Sequence, residues 1–222
     1  MFQNWESLTF VHWRANPVEF QRHLPPGLQL DTFDGEAWVS LTPFQLTGLR
    51  PPFVPAVPYV SRFLEMNLRT YVRGPDGEPG VWFLSLEASR MAAVIGARLG
   101  YRLPYHWARM RLRHKTGEVE YSSRRHFANA GAKIKVRPGD AIVADERENF
   151  LTARFLLYTV FAGRLASARI EHEPWPLQSA EAVELRENML ERYGLRPIGA
   201  PLIHYSRGVH TRVARPRFCP KT

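Results

Sequence analysis

The chain has 222 residues, 45% of them hydrophobic, which is enough for one large β-rich domain or two small ones around a substantial core. Its formal charge is +9, yet its thirty basic residues include only four lysines (Lys115, Lys133, Lys135 and Lys221), so the rest are scattered arginines with no lysine-rich tail. The single cysteine, Cys219, excludes an internal disulfide, and the longest apolar run, 155–163, is too short to cross a bilayer.

In chain order the pattern is one of short alternating segments bounded by glycine and proline. Strands are predicted at 8–13, 28–33, 36–46, 63–73, 81–86, 105–113, 119–125, 130–136, 155–160, 165–173 and 202–213. Turn residues separate them: Asp34-Gly35, Gly74-Pro75-Asp76-Gly77, Thr116-Gly117 and Pro138-Gly139. Helices are few. Residues 18–23 make a short one, 87–99 a second stopped by Gly100, and 147–154 a turn or two. Residues 179–193 read as the clearest helix: Ser179 is placed to cap it, Glu181 and Glu184 lie in its first turns, and Gly194 and Pro197 end it. The proline-dense stretch 50–58 carries Phe53, Val54 and Val57 and is expected to pack over a barrel mouth. Many strands at short spacing predict a mainly β fold, a single antiparallel, closed or nearly closed barrel, with no domain boundary in 1–222.

Three blocks carry a resemblance. They are NPVEFQRHLPPGLQLDTFDGEAWVSLTPFQL (16–46), FLEMNLRTYV (63–72) and LGYRLPYHWAR (99–109). In this order and spacing the chain resembles the YqjF-like proteins of unknown function, which are similar in fold to acetoacetate decarboxylase. The resemblance implies a cone-like barrel with a central cavity. It also marks a departure. In the decarboxylases a lysine follows the turn proline and forms a Schiff base, whereas here Pro104 is followed by Tyr105 and His106, and no lysine occurs before Lys115.

On a strand, Glu65, Asn67, Arg69 and Tyr71 share one face. A solvated outer face is the ordinary reading of such a stripe. The resemblance instead implies that Glu65 enters the cavity, with Asn67 and Arg69 beside it. Neither Tyr105 nor His106 forms a Schiff base, but each is able to serve as acid or base, and either is equally able to be structural. Alternation allows only one of them to face inward, and Tyr105 is favoured. Arg109, on Tyr105's side, is the nearest expected anion anchor; Arg14, near an arginine of the decarboxylase-like proteins, is a candidate for the rim.

No nucleotide loop, serine elbow or convergent histidine set appears, so neither metal nor cofactor is expected. The leading expectation is a cavity for a small anionic or carbonyl-bearing molecule, with Glu65, Tyr105 and His106 as candidate catalytic residues and Arg109, Arg69, Asn67 and Arg14 as binding residues. A non-catalytic small-molecule binder is the alternative. Without a helix-turn-helix, zinc spacing or RNA-binding aromatic signature, association with nucleic acid ranks last. The chain reads as cytoplasmic, having no charged-then-apolar leader in MFQNWES, with no membrane partner; a homo-oligomer is compatible with it.

Overall fold

Strand alternation and turn chemistry set the architecture. The computed structural model describes residues 1–220. Its strands are β1 (Phe2–Ala15), β2 (Gln29–Leu30), β3 (Ala37–Arg50), β4 (Phe63–Arg73), β5 (Pro79–Ala88), β6 (Tyr105–Lys115), β7 (Glu118–Arg125), β8 (Gly131–Ala141), β9 (Leu156–Phe161), β10 (Arg164–His172), β11 (Leu177–Glu187), β12 (Ile198–Val213) and β13 (Arg217–Phe218). Three short helices interrupt them: α1 (Pro17–Gln21), α2 (Met91–Tyr101) and α3 (Glu146–Thr152). Among the described residues, no helix is long and apolar enough to cross a membrane.

All thirteen strands join one sheet, in the order β13-β10-β9-β5-β6-β7-β8-β11-β12-β1-β3-β4-β2. The β4–β5 pairing closes a mixed nine-stranded barrel, β5-β6-β7-β8-β11-β12-β1-β3-β4. The pattern is antiparallel except where β5 meets β6 and β9, both of which run parallel to it. A parallel neighbour needs a crossover, and α2 supplies the one between β5 and β6.

The sheet also forks. At one end β12 pairs with β11 through Ser206, Tyr205 and His204; at the other it pairs with β10 through Val213, Arg212 and Thr211. Strand β5 divides its free edge in the same way, meeting β6 at Leu86–Ala88 and β9 at Val81 and Trp82. The strands β12, β1, β3, β4 and β5 therefore form a wall shared by two compartments. Side chains alternate across it. Val11, Val39, Leu41, Met66 and Leu68 pack with Val119, Tyr121, Ile134 and Val136 of β7 and β8 inside the nine-stranded barrel. Leu8, Phe10, Phe44, Phe63 and Tyr71 pack on the other face, with Leu157, Ala168 and Ile170 of β9 and β10. Burying each such large side chain contributes about 1.5–3 kcal/mol.

Residues 179–193 are not an α-helix, and only Glu191–Tyr193 make a single 3-10 turn. The rest belong mostly to β11, which fills the gap between β8 and β12 and satisfies both ladders. Glu184 meets Lys133 at 2.6 Å across the strands, and Leu185, opposite Ile134, turns inward. Helical end signals in the sequence lose to this pairing. Pro138-Gly139 likewise lies within β8 rather than in a turn; a Cβ on Gly139 would sit 2.5 Å from Ser179 Oγ. The second helix begins later than expected, at Met91, because Glu87 and Ala88 are still in β5. Phe53 in the 50–58 stretch is fully exposed and does not pack over the barrel.

Candidate functional site

The second compartment is not filled. A cavity of about 360 Å³ lies among β1, β3, β4, β5, β9, β10 and α2, on the side of the wall away from the nine-stranded barrel. Small side chains make the room: Ala92, Ala93, Gly96, Ala97 and Gly100 of α2 face it, while the helix's larger Met91, Ile95 and Leu99 are exposed. Trp5, Phe10 and Trp175 form an aromatic wall, with Trp5 stacked on Trp175 at 6.0 Å and Phe10 edge-on to it at 5.2 Å.

Three residues of the β4 stripe line this cavity: Glu65, Asn67 and Arg69, all buried. Tyr105 reaches it from the start of β6 and donates a hydrogen bond to Glu65 Oε2 at 2.8 Å. Burial pushes the Glu65 carboxyl up to about 8, partly offset by the bond from Tyr105 and aided by the charge of Glu87. Glu65 is therefore neutral near pH 7. Burial, then Glu65, holds the Tyr105 phenol well above its ordinary range.

Arg69 is the exposed nerve of the site, although it is itself buried. Among the described residues no carboxylate pairs with it; its guanidinium reaches only the Leu151 carbonyl, at 3.4 Å, and lies 5.5 Å from the Phe10 ring centre. Its Nε has no hydrogen-bond partner. Three more cavity-lining residues carry a buried polar atom in the same condition: Trp5 Nε1, Thr42 Oγ1 and Asn67 Oδ1. Leaving such atoms unsatisfied costs about 1–3 kcal/mol each.

The remaining sequence candidates lie elsewhere. His106 follows Tyr105 and falls on the opposite face, half-buried; burial, then Arg125, Arg98 and Arg192, pulls it down to about 4. Arg109 is exposed on an outer groove with Tyr59, Arg62 and Trp107. The reason is that β6 pairs with β5 only over Tyr105–Trp107, so its inward face ends there and later residues on that side meet solvent. Arg14 is exposed and paired with Glu36 at 3.3 Å, while neighbouring Trp13 packs in the nine-stranded barrel.

Sequence reasoning missed Thr42, Trp5, His172, Arg154 and Trp175, which also line the cavity. Arg154 is neutralised by Asp31 at 2.6 Å, unlike Arg69. Beneath the cavity, His12 Nδ1 bonds Ser40 Oγ at 2.5 Å, Ser40 bonds the Tyr71 hydroxyl at 2.5 Å, and Tyr71 donates to the Leu151 carbonyl at 2.9 Å. This chain of bonds has the form of a base and nucleophile pair, but all three side chains are fully buried and none lines the cavity. The one signal available in the sequence was the small-residue face of 92–100.

The fold is that of the acetoacetate decarboxylase-like barrels. An acetoacetate decarboxylase from Legionella pneumophila superposes with a TM-score of 0.67 at 14% identity, covering 99% of this chain and 88% of that one. An acetoacetate decarboxylase-like enzyme from Sphingomonas wittichii RW1 gives 0.70 at 16% identity, covering 99% and 92%. The enduracididine biosynthesis enzyme MppR complexed with pyruvate gives 0.72 at 14% identity, covering 98% and 89%.

Within that class, residues 2–210 match the DUF2071 family, described as an uncharacterized conserved protein, and the chain belongs to it. The uncharacterized protein YqjF of Bacillus subtilis (strain 168) is 37% identical over 212 residues, 93% of this chain and 87% of that one.

Proposed function

We propose that the cavity binds a small organic acid or carbonyl compound, with Arg69 gripping its anionic end and the Glu65–Tyr105 pair facing its carbonyl. The carrying observation is the set of unpartnered buried polar atoms around one cavity, on Arg69, Asn67, Thr42 and Trp5. A ligand with oxygens at those places would satisfy them together, and an anion would neutralise Arg69. The pyruvate held by the similarly folded MppR supports a keto acid as the class to test first.

Glu65, kept neutral near pH 7, offers a proton to a carbonyl oxygen, and Tyr105 orients it. A perturbed carboxyl and an unpaired cation lining one cavity favour catalysis over simple binding. The apolar bulk of the walls, including Phe44, Phe63, Phe83 and Leu86, is what a carrier of the same molecule would also use. No lysine nucleophile takes part in either reading: none of Lys115, Lys133 and Lys135 lines the cavity.

Native mass spectrometry of the purified protein, followed by a thermal-shift screen of keto, hydroxy and phosphorylated acids, tests binding. Stabilisation by monoacids that disappears in Arg69→Leu is the expected result; no stabilisation by any of them rejects it. Incubation with a β-keto acid and borohydride is expected to leave no lysine adduct. A stoichiometric adduct on an internal lysine would overturn the non-Schiff-base reading.

A further inference from the structure

The cavity does not end at α2. An exterior groove of about 940 Å³ adjoins it, and Met1, Gly100, Tyr101 and Val213 line both. Tyr101 fixes the junction, donating from its hydroxyl to the Ala214 carbonyl at 3.1 Å and so holding the segment after β12 against α2. Beyond it the groove carries Arg212, Arg215 and Arg217, all exposed, between the aromatic side chains of Phe161 and Phe218. One carboxylate, Glu171, shares the lining, and it faces Arg212 at 3.8 Å. Among the described residues, Arg215 and Arg217 have no carboxylate within ion-pair distance.

We propose that this groove is the second half of the binding site, and that it takes an oxyanion, phosphate or carboxylate, on the far end of the same ligand whose head lies beneath Arg69. The inference rests on the reading that the cavity holds an anionic head. Guanidinium groups bind both oxyanions through two parallel bonds, and three of them line the groove that shares Met1, Gly100, Tyr101 and Val213 with the cavity. The lining between Arg69 and this cluster is largely apolar, with Leu8, Phe10, Ile170 and Val213 along it, as a carbon chain requires. The ligand class is thus an elongated molecule, anionic at both ends and apolar between. Because the arginines are exposed, their share of the affinity is expected to weaken with salt, while that of Arg69 is not.

Isothermal titration with straight-chain monocarboxylates of graded length, set against chains of equal length ending in a second carboxylate or in a phosphate, tests the proposal. At the matching length the doubly anionic probes are expected to bind about tenfold more tightly than the monoacid, one favourable ion contact's worth. That gap closes in Arg215→Ser/Arg217→Ser, with monoacid affinity and thermal stability unchanged. Whichever of the two tails gains more identifies the oxyanion. Monoacids that bind while neither second anion adds affinity, or a gap that survives the double variant, would overturn the groove's role and leave the cavity reading intact. Failure of every monoacid to bind the wild type would overturn both.

Discussion

Two buried arginines stand on opposite sides of the shared wall, and they are treated differently. Arg125, in the nine-stranded barrel, forms an ion pair with buried Glu87, which also accepts from its Nε at 3.1 Å and lies near Ser85. Arg69, in the cavity compartment, has a carbonyl at 3.4 Å, aromatic faces and, among the described residues, no carboxylate. A neutralised buried charge belongs to the scaffold. One left without a counter-charge is costly in the isolated protein and has value only if something arrives to neutralise it. The comparison assigns structure to one compartment and ligand to the other, and it can be broken at either arginine.

The largest effect is expected at the scaffold arginine. Arg125→Leu leaves Glu87 buried alone and should cost about 3–5 kcal/mol of stability, read by chemical denaturation at neutral pH. Arg69→Leu removes an uncompensated charge, so its stability should stay within about 1 kcal/mol of wild type or rise. An equal loss in both variants would make Arg69 a structural residue.

The carboxyl in the cavity should make stability fall with pH. Glu65 is held at about 8 and Glu87 at about 7, both raised from the ordinary 4.5. A raised folded value means their contribution is complete below about pH 4.5 and is lost as pH rises through the folded values. His106 and His204 act in the opposite sense: both are lowered to about 4, so their contribution is complete above about pH 6.5 and is lost as pH falls towards 4. The decisive window is therefore pH 6.5–8, where the two carboxyls change; the Met1 ammonium, lowered from its ordinary value by burial and then Arg212, changes there in the opposite sense but equally in wild type and variant. There Glu65 contributes a slope of up to about 1.4 kcal/mol per pH unit, and Glu65→Gln should remove it. Melting temperatures followed across that window decide the point; an unchanged slope in the variant would mean that Glu65 is already ionised.

At the ligand side, Arg69→Leu should weaken binding of short carboxylates about tenfold to a hundredfold, the equivalent of a charge-assisted hydrogen bond of about 1.5–3 kcal/mol. Titration calorimetry on the acids found by the screen measures it. Undiminished affinity would move the anion to Arg154 or His172, the other basic side chains on the cavity wall.

Much of the fold was legible because strand alternation is local. The β4 stripe of Glu65, Asn67 and Arg69 follows from a period of two, and the Asp34-Gly35 turn takes positive φ at both residues, as a tight hairpin requires. What alternation could not show was where a strand stops being part of the wall. Arg109 shares Tyr105's side of β6, yet the partner strand ends at Ala88, opposite Trp107. Residues 179–193 satisfied helical end rules as well as strand pairing, and only the two open ladders of β8 and β12 decided between them. The fork that separates the cavity from the nine-stranded barrel depends on β5 and β12 each serving two partners on one edge, a long-range choice with no local mark.

The smallest predicted effect bears most directly on chemistry. Tyr105→Phe removes only the hydroxyl that donates to Glu65 Oε2 at 2.8 Å, so the stability loss should be about 1 kcal/mol. Its second consequence is electrostatic. That bond lowers the Glu65 pKa against the effect of burial, so without it the carboxyl should titrate above its present value of about 8. A side-chain carboxyl chemical-shift titration of the two proteins reads this directly, independently of any ligand. A merely packed tyrosine would change stability and leave the titration where it was. An upward shift, with the stability slope displaced to higher pH in step, would show that Tyr105 sets the proton affinity of the one acid in the cavity, the property a reaction at a carbonyl would depend on.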